Sequence, residues 1–336
     1  MTMNSEWNAF LQTQPEPVDI ASTLPQCAIF DLSHLSLTRV SGEDAEDFLQ
    51  GQFTNDIKQV SASHSQMSGF CTPKGRMLAN FRIAMHNDDY LLQMPAATQA
   101  PLLKRLPMFV LMSKVTITDA SDELAQMGIA GDCAEEVLGE LFAEVPGTDG
   151  ASCTEQDVTL IRIPGTQPRF MLIGAPGRLI TIWTNLAGKA AAATPRHWEL
   201  LDIRAGIPTV HAETAEAFIP QMTNMQLIDG VSFTKGCYTG QEVVARMKYL
   251  GKLKRKMYLA QVASDELPKP GAELVSPSSA SGQGAGKVVN AQFSPEGGVE
   301  LLAVVEVSSQ EADDLHLGDG SGPKLQFREL PYSLAE

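Results

Sequence analysis

Apolar and polar positions along this chain fall into two textures. Up to about residue 206, apolar runs of strand length alternate with amphipathic stretches of helical length. Residues 28–32 and 36–40 read as strands. Gly42 then opens a helix over 43–50, with acidic residues in its first turn where the helix dipole favours them. Apolar runs at 77–85 and 90–94 flank His86-Asn87-Asp88-Asp89, a hairpin signature. A helix over 98–112 and a strand over 114–118 follow. The next stretch repeats the theme, with strands at 124–130, 158–163 and 170–173 and helices at 133–145 and 177–186. Gly42-Glu-Asp-Ala-Glu-Asp-Phe-Leu and Gly131-Asp-Cys-Ala-Glu-Glu-Val-Leu share four of eight residues, and each opens a helix after a strand. That match reads either as a pseudo-repeat or as the convergence to which strand–Gly–helix junctions are prone. A small-residue linker at 187–194 leads to a helix over 195–205, stopped by Gly206 with Pro208 beyond. From residue 257 helical periodicity disappears. Runs at 257–262, 286–291, 300–307 and 324–330 read as strands between Gly, Pro and Ser, as in a barrel or sandwich. Strands mixed with helices at this density define an α+β fold class.

Composition narrows the function. With 43% apolar and 19% charged residues, the 336-residue chain is globular, of two or three domains. No run of 18 apolar residues is present, so no membrane span is expected, and the polar opening argues against secretion. A net charge of −15 opposes coating of nucleic acid or anionic membranes by the chain as a whole. Five widely spaced cysteines without a C-x-x-C predict neither a disulfide framework nor a structural zinc site, and fit a cytoplasmic protein. The scattered histidines add no metal site.

Candidate chemistry concentrates between Ser232 and Lys256. Thr239-Gly-Gln-Glu fits a capping box, and Gly251 fits a C-terminal stop, so a short helix is expected with Val243, Met247 and Leu250 on one face. Cys237 precedes it, in a turn made permissive by Gly236 and Gly240. A thiol beside a helix N-terminus and next to Lys235 is expected to ionise readily, which makes it a candidate nucleophile. Residues 235–256 hold seven basic side chains against Glu242 alone. The window carries +6 and leaves −21 elsewhere. It reads either as a solvated face or as a local anion site. Gly282-Gln-Gly-Ala-Gly-Lys fails the phosphate-loop pattern at both ends. Trp198 reads first as core, with stacking on a planar heterocycle as the alternative.

Phe233-Thr-Lys-Gly-Cys-Tyr-Thr-Gly-Gln-Glu-Val-Val-Ala-Arg246 resembles the signature of the YgfZ family, folate-binding bacterial proteins described as tRNA-modifying, to which mitochondrial iron–sulphur assembly factors are related. Supporting stretches are Gln50-Gly-Gln-Phe-Thr-Asn-Asp, Cys71-Thr-Pro-Lys-Gly-Arg, Ala205-Gly-Ile-Pro and Phe218-Ile-Pro-Gln-Met-Thr-Asn. The resemblance implies a T-protein-like three-domain arrangement around a central channel, ending in a β-barrel. The limits expected are a polar tail at 1–20, α+β domains at 21–120 and 121–200, a segment at 201–255 that carries the Lys-Gly-Cys-Tyr motif back to the channel, and the barrel at 256–336. It also implies tetrahydrofolate or a derivative as cofactor, and iron–sulphur enzymes or assembly proteins, tRNA-thiolating ones among them, as partners. Cys237 would be the reactive thiol. Trp198, Arg204, Lys235, Tyr238, Gln241 and Arg246 would hold the cofactor. A second family tryptophan is absent; His34 or Leu35 stands in its region.

Departures from the aminomethyltransferase pattern lean away from turnover. Where that fold carries its acid, this sequence has Ala79 and Asn80, neither able to move a proton as a general acid. Arg204 stands where a folate-reading glutamate is expected, with Asp202 and Glu199 as the nearby carboxylates. Two alternatives to a folate-binding accessory factor stay open: a one-carbon transferase using one of those acids, and an RNA-binding module using residues 248–256, which the −21 elsewhere opposes.

Overall fold

The computed structural model describes residues 5–251, 253–279 and 284–334. Its elements in order are helix α1 (Ser5–Leu11), strands β1 (Cys27–Asp31) and β2 (Leu35–Ser41), helix α2 (Ala45–Gln52), strands β3 (Gln66–Cys71), β4 (Met77–His86) and β5 (Asp89–Pro95), helix α3 (Ala96–Arg105) and strands β6 (Thr116–Asp119) and β7 (Ala125–Gly131). Helix α4 (Ala134–Gly139), strands β8 (Ser152–Glu155), β9 (Val158–Arg162) and β10 (Arg169–Gly174), helix α5 (Pro176–Leu186), strand β11 (Ala191–Ala193) and helix α6 (Pro195–Arg204) follow. The chain then forms helix α7 (Gln241–Leu250), strands β12 (Arg255–Val262), β13 (Glu273–Val275), β14 (Gly286–Phe293) and β15 (Val299–Glu306), helix α8 (Val307–Glu311) and strands β16 (His316–Leu317) and β17 (Leu325–Arg328).

These elements condense into two compact units, each assembled from separated segments. One comprises Met1–Gln50, Asp56–Gln66 and Phe81–Trp198; the other Gly51–Asn55, Met67–Asn80 and Glu199–Glu336. The cut expected at 120/121 lies inside the first unit, and the cuts at 200/201 and 255/256 lie inside the second.

The pseudo-repeat is visible in the topology. One sheet has the order β3-β4-β5-β2-β6 and the other β11-β1-β7-β10-β9-β8, so β4-β5-β2 and β9-β10-β7 correspond. Each copy turns from strand to helix on a left-handed glycine, Gly42 at φ +114° and Gly131 at φ +119°. A Cβ on Gly42 would lie 2.1 Å from the Lys114 carbonyl oxygen, and one on Gly131 would lie 1.9 Å from that of Gln26. The matched glycines therefore answer to the same close approach.

Several expected elements change. Residues 1–20 are not simply a polar tail. α1 buries Trp7, 1% exposed, edge-on to Trp183 at 5.7 Å, and the Trp7 indole N–H donates to Asp31 Oδ1 at 2.9 Å. The helix expected over 98–112 ends at Arg105, because Pro107 has no N–H for the carbonyl four residues back; a 3₁₀ turn, Leu106–Phe109, takes its place. The helix expected over 133–145 stops at Gly139. The linker at 187–194 contains β11, which pairs parallel to β1. The cysteine reading is corrected too: Cys27 at the start of β1 and Cys133 just before α4 form a disulfide, Cα–Cα 5.6 Å. Sequence spacing hid the pair because 106 residues separate its members.

In the second unit the C-terminal strands make one antiparallel sheet of order β16-β13-β14-β15-β12-β17. It curls until its edges meet at a bridge between His316 and Lys324. Leu301, Ala303, Val305, Leu274 and Leu325 fill its interior. The short α8 interrupts a region expected to lack helix. Within the described residues no helix is long and apolar enough to cross a membrane.

Candidate functional site

Everything in the Lys-Gly-Cys-Tyr stretch lies in the second unit. Its floor is residues 53–55, knitted to 230–235 by backbone and side-chain bonds. The Ser232 amide donates to the Thr54 carbonyl at 3.0 Å, and the Thr54 hydroxyl donates to the Gly230 carbonyl at 2.8 Å. The Lys235 ammonium turns inward and donates to the carbonyls of Phe53 at 2.7 Å and Asn55 at 2.8 Å. Lys235 is only 8% exposed. Its ammonium is thus bonded to the backbone of the floor. We predict that Lys235→Met, which keeps the volume and strips the charge, lowers unfolding free energy by about 2–3 kcal/mol in a urea titration, because two buried carbonyls lose a charged donor.

Two glycine turns meet at the next step of the motif. A Cβ on Gly240, at φ +85°, would lie 2.4 Å from the Thr72 carbonyl oxygen and 3.0 Å from Gly75 Cα. Gly75, at φ +69°, faces Val243. The Cys71-Thr-Pro-Lys-Gly-Arg and Lys-Gly-Cys-Tyr stretches therefore pack backbone to backbone, which only glycine permits at these angles. The capping box does not form. Gly240 precedes α7 with no side-chain cap; instead the Gln241 amide bonds the Tyr238 carbonyl at 3.2 Å and Gln241 Oε1 accepts from the Tyr238 amide at 3.3 Å. Gly251 is extended, not left-handed, and the buried contact of α7 is Val244, while Leu250 is 84% exposed.

Among the three cysteines outside the disulfide, burial separates the thiols. Cys71 is buried, and burial pushes its thiol up to about 12, so it is protonated and inert at neutral pH. Cys153 is half-buried, and burial followed by Glu144 and Glu155 raises it too. Cys237 is exposed. Tyr238, by contrast, points inward: burial, then the neighbouring Cys71, raises its phenol, and its hydroxyl has no hydrogen-bond partner.

The remaining expected contacts divide. Arg246 is exposed on α7. Arg204 does not present a free guanidinium, for it makes a two-pronged pair with the buried Glu300, Nε–Oε2 3.0 Å and Nη2–Oε1 2.6 Å. Trp198, in the first unit, is 3% exposed, edge-on to Phe30 at 5.4 Å with the Arg169 guanidinium 5.1 Å above the indole. Gly128 lies flat beneath it; a Cβ there would sit 2.6 Å from the ring. Its place is in the core, as the first reading of the sequence had it, and not on an open stacking platform. The basic window disperses as well. Arg255 donates to the Gly284 carbonyl and pairs with Glu306, Lys256 donates to the Leu334 carbonyl, and Lys248 lies 3.9 Å over the Phe233 ring. Lys252, Gly282 and Gln283 lie outside the described residues.

Sequence reasoning missed the role of Asn80. Its amide donates to the Pro208 carbonyl at 2.7 Å and accepts from the Val210 amide at 2.7 Å. A carboxylate could not make the first bond, so the position expected to carry an acid is a structural tie here. Among the described residues no cluster of three or more His, Cys, Asp or Glu could hold a metal.

The architecture defines a class. A solved structure of glycine cleavage system aminomethyltransferase T from Bartonella henselae matches 97% of this chain and 89% of its own, at 16% identity and a TM-score of 0.69. The GCVT N-terminal domain family matches residues 18–164. The fold is that of the T-protein. At the level of sequence, the chain is 32% identical over 328 residues to the tRNA-modifying protein YgfZ of Shigella boydii, covering 98% of this chain and all of that one. The YgfZ of Sodalis glossinidius is also 32% identical, covering 96% and 98%. This chain belongs to the YgfZ family.

Proposed function

We propose that this protein binds tetrahydrofolate or a derivative and, as a cytoplasmic accessory factor, supports iron–sulphur enzymes and through them tRNA modification, with Cys237 as the reactive group. The observation that carries the reading is Cys237 itself: an exposed thiol in a turn pinned by the buried Lys235 on one side and the Gly240–Gly75 contact on the other. The name of the relatives supports the link to tRNA, and the T-protein fold supports the folate.

The donor and acceptor set of the second unit suits such a cofactor. Gln221 Oε1, Asn224 Oδ1, Gln226 Oε1 and the Tyr238 hydroxyl are buried without a partner. A pteridine offers the N–H and amino donors that such oxygens need. The exposed Arg246 suits the glutamyl carboxylates. When bound, the folate would supply one-carbon or redox chemistry. Lys235, Tyr238 and Gln241 then act by fixing the turn. Two observations weigh against transferase turnover: Asn80 is tied to the backbone, and Glu199 accepts from the Gln292 amide at 2.7 Å. Direct RNA binding loses ground as well, since Lys235, Arg255 and Lys256 are engaged within the protein.

The test is complementation of a strain lacking this gene with Cys237→Ala, at matched protein levels. Loss of most iron–sulphur enzyme activity and tRNA thiolation is expected. Full restoration by the alanine variant would refute the role of the thiol.

A further inference from the structure

Beyond this reading, and independent of it, the first unit displays an apolar loop with much of its side-chain surface exposed. Between α3 and β6, Met108 is 72% exposed, Phe109 38%, Leu111 87% and Met112 96%. Four large apolar side chains within five residues are too many to be scattered surface hydrophobes. The loop is also held at both feet. At the near foot Leu102 and Leu106 are buried and the Val110 amide closes a turn onto the Pro107 carbonyl at 3.0 Å. At the far foot the Lys114 amide donates to Asp44 Oδ2 at 2.7 Å, its ammonium pairs with Glu43 at 2.6 Å, and its carbonyl occupies the space that a side chain on Gly42 would need. The display is therefore built into the backbone.

We infer that this loop is a docking surface for another protein, one that offers an amphipathic helix whose apolar face is bordered by carboxylates. Charge picks the occupant. Lys104 and Arg105, exposed in the last turn of α3, pair with no carboxylate among the described residues, while Lys114 is already neutralised by Glu43. Two unspent cations beside an apolar tip complement an acidic, amphipathic segment. Methionines at the tip add adaptability, since unbranched thioethers repack readily against a partner helix.

The experiment uses the full-length protein and two labelled 18-residue amphipathic peptides, one of Leu and Glu, the other of Leu and Lys, read by fluorescence anisotropy. The acidic peptide is expected to bind and the basic one not to. Leu111→Ser with Met112→Ser should weaken binding at least tenfold, and Lys104→Glu with Arg105→Glu should weaken it and flatten its salt dependence. All four residues are exposed, so thermal unfolding should be unchanged, which separates lost docking from lost folding. Equal binding of both peptides, no binding, or binding indifferent to these changes would overturn the proposal. So would co-sedimentation with phosphatidylglycerol vesicles that the Ser variant abolishes, which would assign the loop to a membrane. Dimerisation that the same variant abolishes would assign it to a second copy of this chain.

Discussion

Reduction of the Cys27–Cys133 disulfide is expected to lower the unfolding free energy of the first unit by about 4–5 kcal/mol on the loop-entropy argument, the largest single effect in the molecule. The bond closes a loop between residues 106 apart, and cross-linking so long a loop removes much of the freedom of the unfolded chain. It ties the first residue of β1, second from the edge of the six-stranded sheet, to the residue that precedes α4. The measurement is calorimetric unfolding with and without dithiothreitol, for the native chain and for Cys27→Ser with Cys133→Ser. The native protein should lose stability on reduction, and the double variant should match the reduced form and ignore the reductant. An oxidised protein that unfolds like the double variant would contradict the assignment. In a reducing compartment the same two sulphurs stand as neighbouring thiols, and the protein does without that contribution.

The contrast between this pair and Cys237 marks what a sequence can disclose. Local chemistry was legible: the glycines around Cys237 announced a turn, and the structure exposes the thiol there. Gly42 and Gly131 marked two matching strand-to-helix junctions, and both adopt the same left-handed geometry. What stayed hidden depended on distant partners. Lys235 looked like an activating neighbour because it is two residues from Cys237, but burial is decided by residues 53–55, far away in sequence. Thr239 and Glu242 had the spacing of a capping box, yet the close approach of Gly240 to Gly75 fixes the turn in another shape. Trp7 gave no signal, since a helix of only seven residues, with Trp7, Ala9, Phe10 and Leu11 as its apolar positions, is too short for helical periodicity to stand out.

Arg204→Ala is expected to cost about 3 kcal/mol at neutral pH, because it strands a buried carboxylate instead of merely deleting a surface charge. Glu300 is 2% exposed, whereas the Arg204 side chain keeps 32% of its surface, so the two halves of the pair are not equivalent. Removing Glu300 leaves a guanidinium that water can reach; removing Arg204 leaves a buried anion with the Ser294 hydroxyl at 2.8 Å and the charge of Arg328. Glu300→Gln should therefore cost less, about 1–2 kcal/mol. The pH dependence separates this electrostatic cost from loss of packing. In the native chain burial pushes the Glu300 carboxyl up, but hydrogen bonds from Arg204 and Ser294 and the charges of Arg204 and Arg328 outweigh it and hold it below its ordinary value of 4.5. A depressed carboxyl stabilises the fold above that ordinary value, and the contribution is lost as pH falls through the folded value. Without Arg204, burial dominates and the carboxyl moves up, so its folded form takes a proton before the unfolded chain does. The variant should then recover stability relative to the native protein as pH falls from 7 towards 5, and urea titrations at several pH values should show the gap narrowing. A gap that stays constant would assign the loss to packing. The arginine at a position where the aminomethyltransferase pattern expects a glutamate would then owe its place to the fold of the barrel and not to Glu300.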